Sequence, residues 1–167
     1  MSSLRVHFIR HGDAERSAEG GDANRSLTAQ GRRQSRAVAT LLAEQDLLID
    51  LIYCSPLVRA IQTTEIFVAS LGCEDAVQVQ PVIAYPSGLA DILTLVDQCP
   101  TITVGLAIIG HEPILSGLVT HLLHSTHPKS TWRGFYPSQV VAFDYERSAK
   151  TWTFQWQILP DGPARLD

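Results

Sequence analysis

Cysteine is scarce in this chain: Cys54, Cys73 and Cys99 are odd in number, widely spaced and free of any Cys-x-x-Cys pair. Such a set builds neither a disulfide framework nor a zinc ribbon, and reduced structural thiols are the expectation. Long apolar runs are missing too. Nothing approaches the roughly 20 residues of a membrane span, and the start, Met1-Ser2-Ser3-Leu4-Arg5, has no basic segment leading into an apolar stretch. A soluble, cytoplasmic protein is expected. Positive charge is the minority sign, 13 Lys and Arg against 17 Asp and Glu for a formal net charge of −4. That balance supplies no broad basic field for nucleic acid or an anionic membrane, so any anion site must be local. Internal repeats and linkers are also absent. What is present is 45% hydrophobic against 18% charged content, enough for one continuous core and a single domain over residues 1–167.

Periodicity divides the chain into alternating elements. Leu4 to Ile9 reads as a strand, and Asp13 to Ser26 as a long loop with Gly20-Gly21 at its middle. Thr28 caps a helix with apolar positions Ala37, Val38, Leu41 and Leu42 and a solvated face of Arg32, Arg33 and Arg36. Asp50 to Cys54 is a short strand; Ser55-Pro56 then supplies an N-cap and a first-turn proline for a helix of roughly Leu57 to Ser70. Val77 to Pro81 reads as a third strand, Leu89 to Val96 as a short helix, and Thr103 to Ile109 as a strand buried on both faces. Gly110-His111-Glu112-Pro113 opens a helix through Leu123, and Gln139 to Tyr145 with Thr151 to Leu159 form a hairpin. Strand and helix alternating through residue 123 predict right-handed βαβ units. The fold class is therefore α/β, a three-layer sandwich with a mostly parallel central sheet and a C-terminal antiparallel hairpin added to it.

Three separate segments share one design, a strand end followed by a basic or imidazole group: Arg10-His11-Gly12, then Ser55-Pro56-Leu57-Val58-Arg59, then Gly110-His111. Parallel strands bring such ends to one edge, where ligands bind in open α/β sheets. Arginine presents a planar fork that fits phosphate oxygens. A neutral imidazole can attack phosphorus and carry the phosphoryl group covalently. Arg59, in the first turn of its helix, adds free backbone N–H groups that favour an anion. Arg10, His11, Arg59 and His111 are thus expected to form a cup for one phosphate or other oxyanion. Gly12 and Gly110 serve tight turns and close approach of the backbone.

Arg10-His11-Gly12, the run Ser-Pro-x-x-Arg-Ala-x-Gln-Thr at residues 55–63, and Gly110-His111 together resemble the histidine phosphatase superfamily, also called phosphoglycerate mutase-like. The short length, Asp13-Ala14 after the first motif, Leu27-Thr28-x-x-Gly31 and the terminal strands narrow the resemblance to SixA-type phosphohistidine phosphatases. It implies that His11 is the phosphorylated nucleophile, that Arg10, Arg59 and His111 bind the phosphoryl group, and that no metal or cofactor is needed. His121, His124 and His127 repeat every third residue, but no cysteine or carboxylate cluster completes a tetrahedral metal set, and a structural reading is expected. Arg5 and His7 are read as ordinary strand residues. Trp132, Phe135 and Tyr136 either pack the core or line the pocket mouth.

Many relatives place a proton-donating glutamate four residues before a glycine in the loop after the third strand. Here Ala84 stands at that spacing from Gly88. An alkyl phosphate expels a very basic alkoxide, whereas an imidazole, with a pKa of roughly 6.5, leaves phosphorus far more readily. The missing acid therefore favours phosphohistidine on a signalling protein such as a histidine phosphotransfer domain. Glu112, Asp13 and Asp91 are alternative acids; the structural alternatives have Glu112 capping its helix and Asp13 orienting the turn after Gly12. A small-molecule phosphomonoesterase and a noncatalytic phosphate-binding module are the rival readings. A mutase fits less well, because no sizeable insertion is available to hold a sugar phosphate.

Overall fold

The computed structural model describes residues 3–164 other than 46, 85, 128, 129 and 131. In chain order the elements are β1 (Ser3–Arg10), α1 (Ala29–Glu44), β2 (Leu51–Cys54), α2 (Val58–Leu71), β3 (Val77–Val79), α3 (Leu89–Asp97), β4 (Gly105–Gly110), α4 (Ile114–Thr126), β5 (Val140–Glu146), β6 (Thr151–Leu159) and β7 (Gly162–Ala164). The strands form one mixed sheet in the order β3-β2-β4-β1-β5-β6-β7. The first four are parallel, and β5, β6 and β7 continue antiparallel from β1.

Side-chain alternation along each strand builds two cores on opposite faces. Leu4, Val6 and Phe8 of β1, Leu106 and Ile108 of β4 and Val141, Phe143 and Tyr145 of β5 pack against Ile92, Leu95 and Val96 of α3 and Leu115, Leu118 and Val119 of α4. Ile9, Ile52, Ala107, Ile109 and Val140 point the other way, onto Val38 and Leu42 of α1 and Ala60 and Phe67 of α2. The result is the expected three-layer sandwich. In β6 the pairing skips a residue, Phe143 meeting Phe154 while Ala142 meets Trp156. One extra residue exchanges the two faces of a strand. Phe154 and Trp152 accordingly pack on the α3/α4 side, and Trp156 and Ile158 on the α1/α2 side.

Helix α1 follows β1 onto one face, and α4 follows β4 onto the other. Since β1 and β4 are neighbours, a crevice opens at their carboxyl ends, the place where such sheets receive ligands. Arg10 pairs with Gly110 in the ladder and Cys54 with Ile109, which sets the three motif ends at one level.

Several boundaries differ from the sequence expectation. Strand β4 begins at Gly105 rather than Thr103, because Ile102 (85% exposed) and Val104 (53%) precede it in a solvent-facing turn. Pro81, placed at the end of the third strand, instead opens a 3-10 turn, Pro81–Ile83, that buries Ile83. In α1 the buried face includes Ala39, and Ala37 is exposed. Strand β7 has only three residues and too little pattern to be read. His7 is a buried strand residue on the α1/α2 face, its ring 5.5 Å from that of Trp156; burial lowers its pKa to about 4. Arg5 pairs with Asp144.

Candidate active site

Each motif is delivered by ordinary local chemistry. The chain leaves β1 at Arg10, and the backbone N–H of His11 still bonds the Gly110 carbonyl at 3.1 Å. Gly12 must lack a side chain: a Cβ there would meet the Gly31 carbonyl oxygen and Ser35 Oγ, both at 2.7 Å. Its N–H donates to Thr63 Oγ1 at 3.1 Å, and that hydroxyl donates to the Arg59 carbonyl at 2.8 Å. The His11 segment is thereby fastened to the first turn of α2. Gln62 Oε1 holds the loop end by accepting the Leu27 N–H at 2.7 Å.

His11 is 8% exposed, and its Nδ1 lies 2.6 Å from the Gly12 carbonyl oxygen. A carbonyl only accepts, so Nδ1 carries the proton and the lone pair is on Nε2. Arg59 Nε donates to that Nε2 at 3.2 Å. Burial, opposed by the Gly12 bond and reinforced by Arg59, Arg10 and Arg25, lowers the His11 pKa to about 4. The imidazole is therefore neutral at pH 7, with Nε2 unprotonated and accepting from Arg59.

The His111 ring is 5.0 Å from that of His11. Its Nε2 lies 2.6 Å from Ser55 Oγ, a hydroxyl that accepts the Leu57 N–H at 3.4 Å. Burial, then the proximity of His11 and Arg59, lowers its pKa to about 3. Arg10 Nη1 donates to the Phe135 carbonyl at 2.6 Å, and burial lowers its pKa against the opposing carboxylates of Glu112 and Asp13. Arg10 Nε, His111 Nδ1 and Glu112 Oε1 are buried without a protein partner. Buried polar atoms are ordinarily satisfied, and these three gather at the motif ends, whereas His7 Nε2 and Trp132 Nε1, also without a partner, lie outside the motifs.

A cleft of about 560 Å³ contains Arg59, His111 and Glu112, walled by apolar residues including Leu57, Ile83, Leu89 and Ile114. A larger hollow of about 680 Å³, with Tyr145 and Trp152, lies by the opposite end of the sheet and holds none of the motif residues. Of the four residues expected to share one cup, His11 is brought against both Arg59 and His111, while Arg10 lines the smaller hollow beside Glu112. The candidate acids separate. Glu112 lines both the cleft and a smaller hollow beside Arg10, Arg133 and Tyr136. Asp13 accepts the Thr28 hydroxyl at 2.7 Å and lines a different hollow with residues 14–17, and Asp91 accepts the Gly88 N–H at 2.7 Å to cap α3. Ser55 is not the N-cap of α2, which is Leu57; its hydroxyl serves His111 instead. Phe135 is buried under half-buried Trp132, while Tyr136 is 60% exposed. His121 and His124 are exposed, and the His127 ring packs on Phe154. No helix among the described residues is long and apolar enough to cross a membrane.

Sequence reasoning missed Asp22. Its carbonyl and carboxylate oxygens accept from Arg59 Nη1 at 2.7 Å and Nη2 at 2.9 Å, across a loop with no periodic signal. Thr63 and Gln62 were quoted within the 55–63 motif, but only the fold reveals what they hold.

Comparison with known proteins agrees with this geometry. A model of the histidine phosphatase superfamily (branch 1) matches residues 6–82. Phosphohistidine phosphatase SixA of Escherichia coli (strain K12) is 31% identical over 160 residues, 94% of each chain. The solved structure of the protein histidine phosphatase SixA complexed with tungstate superposes with a TM-score of 0.83 at 28% identity, covering 95% of this chain and 98% of that one. The fold extends to phosphoglycerate mutase from Plasmodium falciparum, with a TM-score of 0.67 at 12% identity over 93% of this chain and 90% of that one. With the motifs in place and similarity running along nearly its whole length, the chain belongs to the histidine phosphatase superfamily, as a phosphatase related to SixA.

Proposed function

We propose that this protein hydrolyses phosphohistidine on a signalling protein, such as a histidine phosphotransfer domain, through a phosphorylated His11. The observation that carries the reading is the state of His11: Nδ1 tied to the Gly12 carbonyl, and Nε2 left unprotonated, accepting from Arg59 Nε across from His111, a contact that the phosphoryl group replaces. Arg10, Arg59 and His111 bind the phosphoryl oxygens. His11 Nε2 forms a bond to phosphorus as the bond from phosphorus to the substrate imidazole breaks. Water then attacks the phosphorylated His11, releasing inorganic phosphate and restoring the free imidazole. Fixed guanidinium groups and the N-terminal amides of α2 stabilise the charge on the transferring group, the largest expected contribution. A reaction arranged this way calls on no metal or other cofactor.

The departing imidazole nitrogen takes up a proton, and Glu112, with its unpartnered buried oxygen, is the carboxyl group best situated to manage it. Glu112→Gln is expected to slow hydrolysis of an alkyl phosphate by about 100-fold and of a phosphohistidine protein by under about tenfold, since a better leaving group depends less on the acid. Equal losses on both substrates would remove Glu112 from that role.

The deciding experiment uses a phosphohistidine protein labelled in its phosphoryl group. An acid-labile labelled adduct should form on the wild-type chain and be absent from His11→Ala. Faster turnover of alkyl monophosphates than of the phosphoprotein would instead favour a small-molecule phosphomonoesterase, and phosphate binding without turnover would favour a recognition module.

A further inference from the structure

We infer that Asp22 is a positioning residue for the phosphoryl-binding edge of Arg59, an inference that rests on the reading of Arg59 given above. A guanidinium has two hydrogen-bonding edges, one formed by Nη1 and Nη2 and the other by Nε and the second proton of Nη2. Asp22 takes the whole of the first, its carbonyl oxygen 2.7 Å from Nη1 and its Oδ2 2.9 Å from Nη2. The second edge is thereby turned to His11, with Nε 3.2 Å from the nucleophilic Nε2. A phosphoryl group on His11 takes over that lone pair, and the Nε–H released from Nε2 is left facing the phosphoryl oxygens, on a side chain that is 7% exposed.

Asp22 is itself held from behind. Its Oδ1 accepts from Arg25 Nη1 at 2.8 Å, and Arg25 Nε in turn donates to the Glu15 carbonyl. The Glu15 N–H bonds the Ser26 carbonyl at 2.8 Å, and Ala14 bridges Leu27, closing the base of the loop. Asp22 opens a 3-10 turn, Asp22–Asn24, entered through Gly21 at φ 96°, a backbone state that favours glycine. The sequence Gly-Gly-Asp-Ala-Asn-Arg thus folds into a bracket that presents one carboxylate and one carbonyl to one guanidinium. At 63% exposure the Asp22 side chain adds little as an isolated ion pair. Its contribution is geometric, since fixing a group in its reactive orientation removes the cost of ordering it during the reaction.

The test separates positioning from competition, because a carboxylate on Arg59 could also act as a rival of phosphate. Asp22→Ala should weaken binding of inorganic phosphate, measured by calorimetry, and lower kcat/KM on a phosphohistidine protein, each by about tenfold. Asp22→Asn keeps the carbonyl contact and one side-chain acceptor, and should stay within about threefold of wild type. In an Arg59→Ala background, Asp22→Ala should cause no further loss. Unchanged or tighter phosphate binding by Asp22→Ala would overturn the inference, as would Asp22→Asn falling as far as Asp22→Ala or losses that add to those of Arg59→Ala. Thermal melting checks that each variant is folded. If phosphohistidine turnover fails for the wild-type chain, the proposed substrate fails, while the phosphate titration still decides the role of Asp22.

Discussion

Replacing His11 by alanine is expected to lower kcat on a phosphohistidine protein by roughly 10⁴-fold or more, since removing a covalent nucleophile removes the route itself. Phosphate binding should survive in weakened form, because Arg10, Arg59 and His111 come from separate segments and the Ser55 contact of His111 does not involve His11. Loss of turnover with retained binding is the signature to look for in paired kinetic and calorimetric measurements. A His11→Ala enzyme within tenfold of wild type would end the nucleophile assignment. The pH profile of kcat/KM gives a second check. An ordinary imidazole would lose nucleophilicity through the range around pH 6.5. Here burial and the surrounding arginines hold the His11 pKa near 4, so its protonation in the free enzyme, and the fall in activity that it causes, should come near pH 4. A bound phosphoryl dianion favours the protonated ring, so the acid limb of kcat should lie higher than that of kcat/KM.

Arg59→Ala is the second large effect, about 10² to 10³-fold in kcat/KM, comparable to removing one preorganised donor from a transition-state anion site. Arg59 bonds His11 and Asp22 while standing at the first turn of α2, so one truncation removes a positive charge, a fork and the anchor of the loop. Arg59→Lys should recover only part of the loss, because an ammonium retains the charge but cannot offer two parallel donors. Steady-state kinetics on both variants with a phosphohistidine protein would show this. Arg59→Ala within threefold of wild type would mean that the phosphoryl group is held elsewhere.

The layered α/β fold and the meeting of His11 with Arg59 and His111 were legible because both follow from strand ends. Alternation marks the strands, parallel order aligns their termini, and a charged or imidazole residue just past an apolar run has little room to lie anywhere but the edge. Legibility failed where long-range contact overrides local pattern. Ser55 carries an N-cap signal, but its hydroxyl is claimed by His111, 56 positions away. Asp22 sits among Gly, Ala and Asn, and nothing in that stretch announces a partner 37 positions on. The extra residue in β6 leaves the run Trp152 to Ile158 looking like a plain alternating strand, and only its pairing with β5 shows the exchange of faces. Val104 misled in the opposite direction, apolar in type yet exposed and outside the strand.

The placement of β4 between β1 and β2 has a consequence for biogenesis. The two imidazoles stand on adjacent strands but arrive about 100 residues apart in synthesis, and the gap they share does not exist until the later strand has slotted into the middle of the sheet. Long-range insertion of that kind comes late and slowly. A half-folded chain without β4 beside β1 therefore lacks the pairing of His11 with His111.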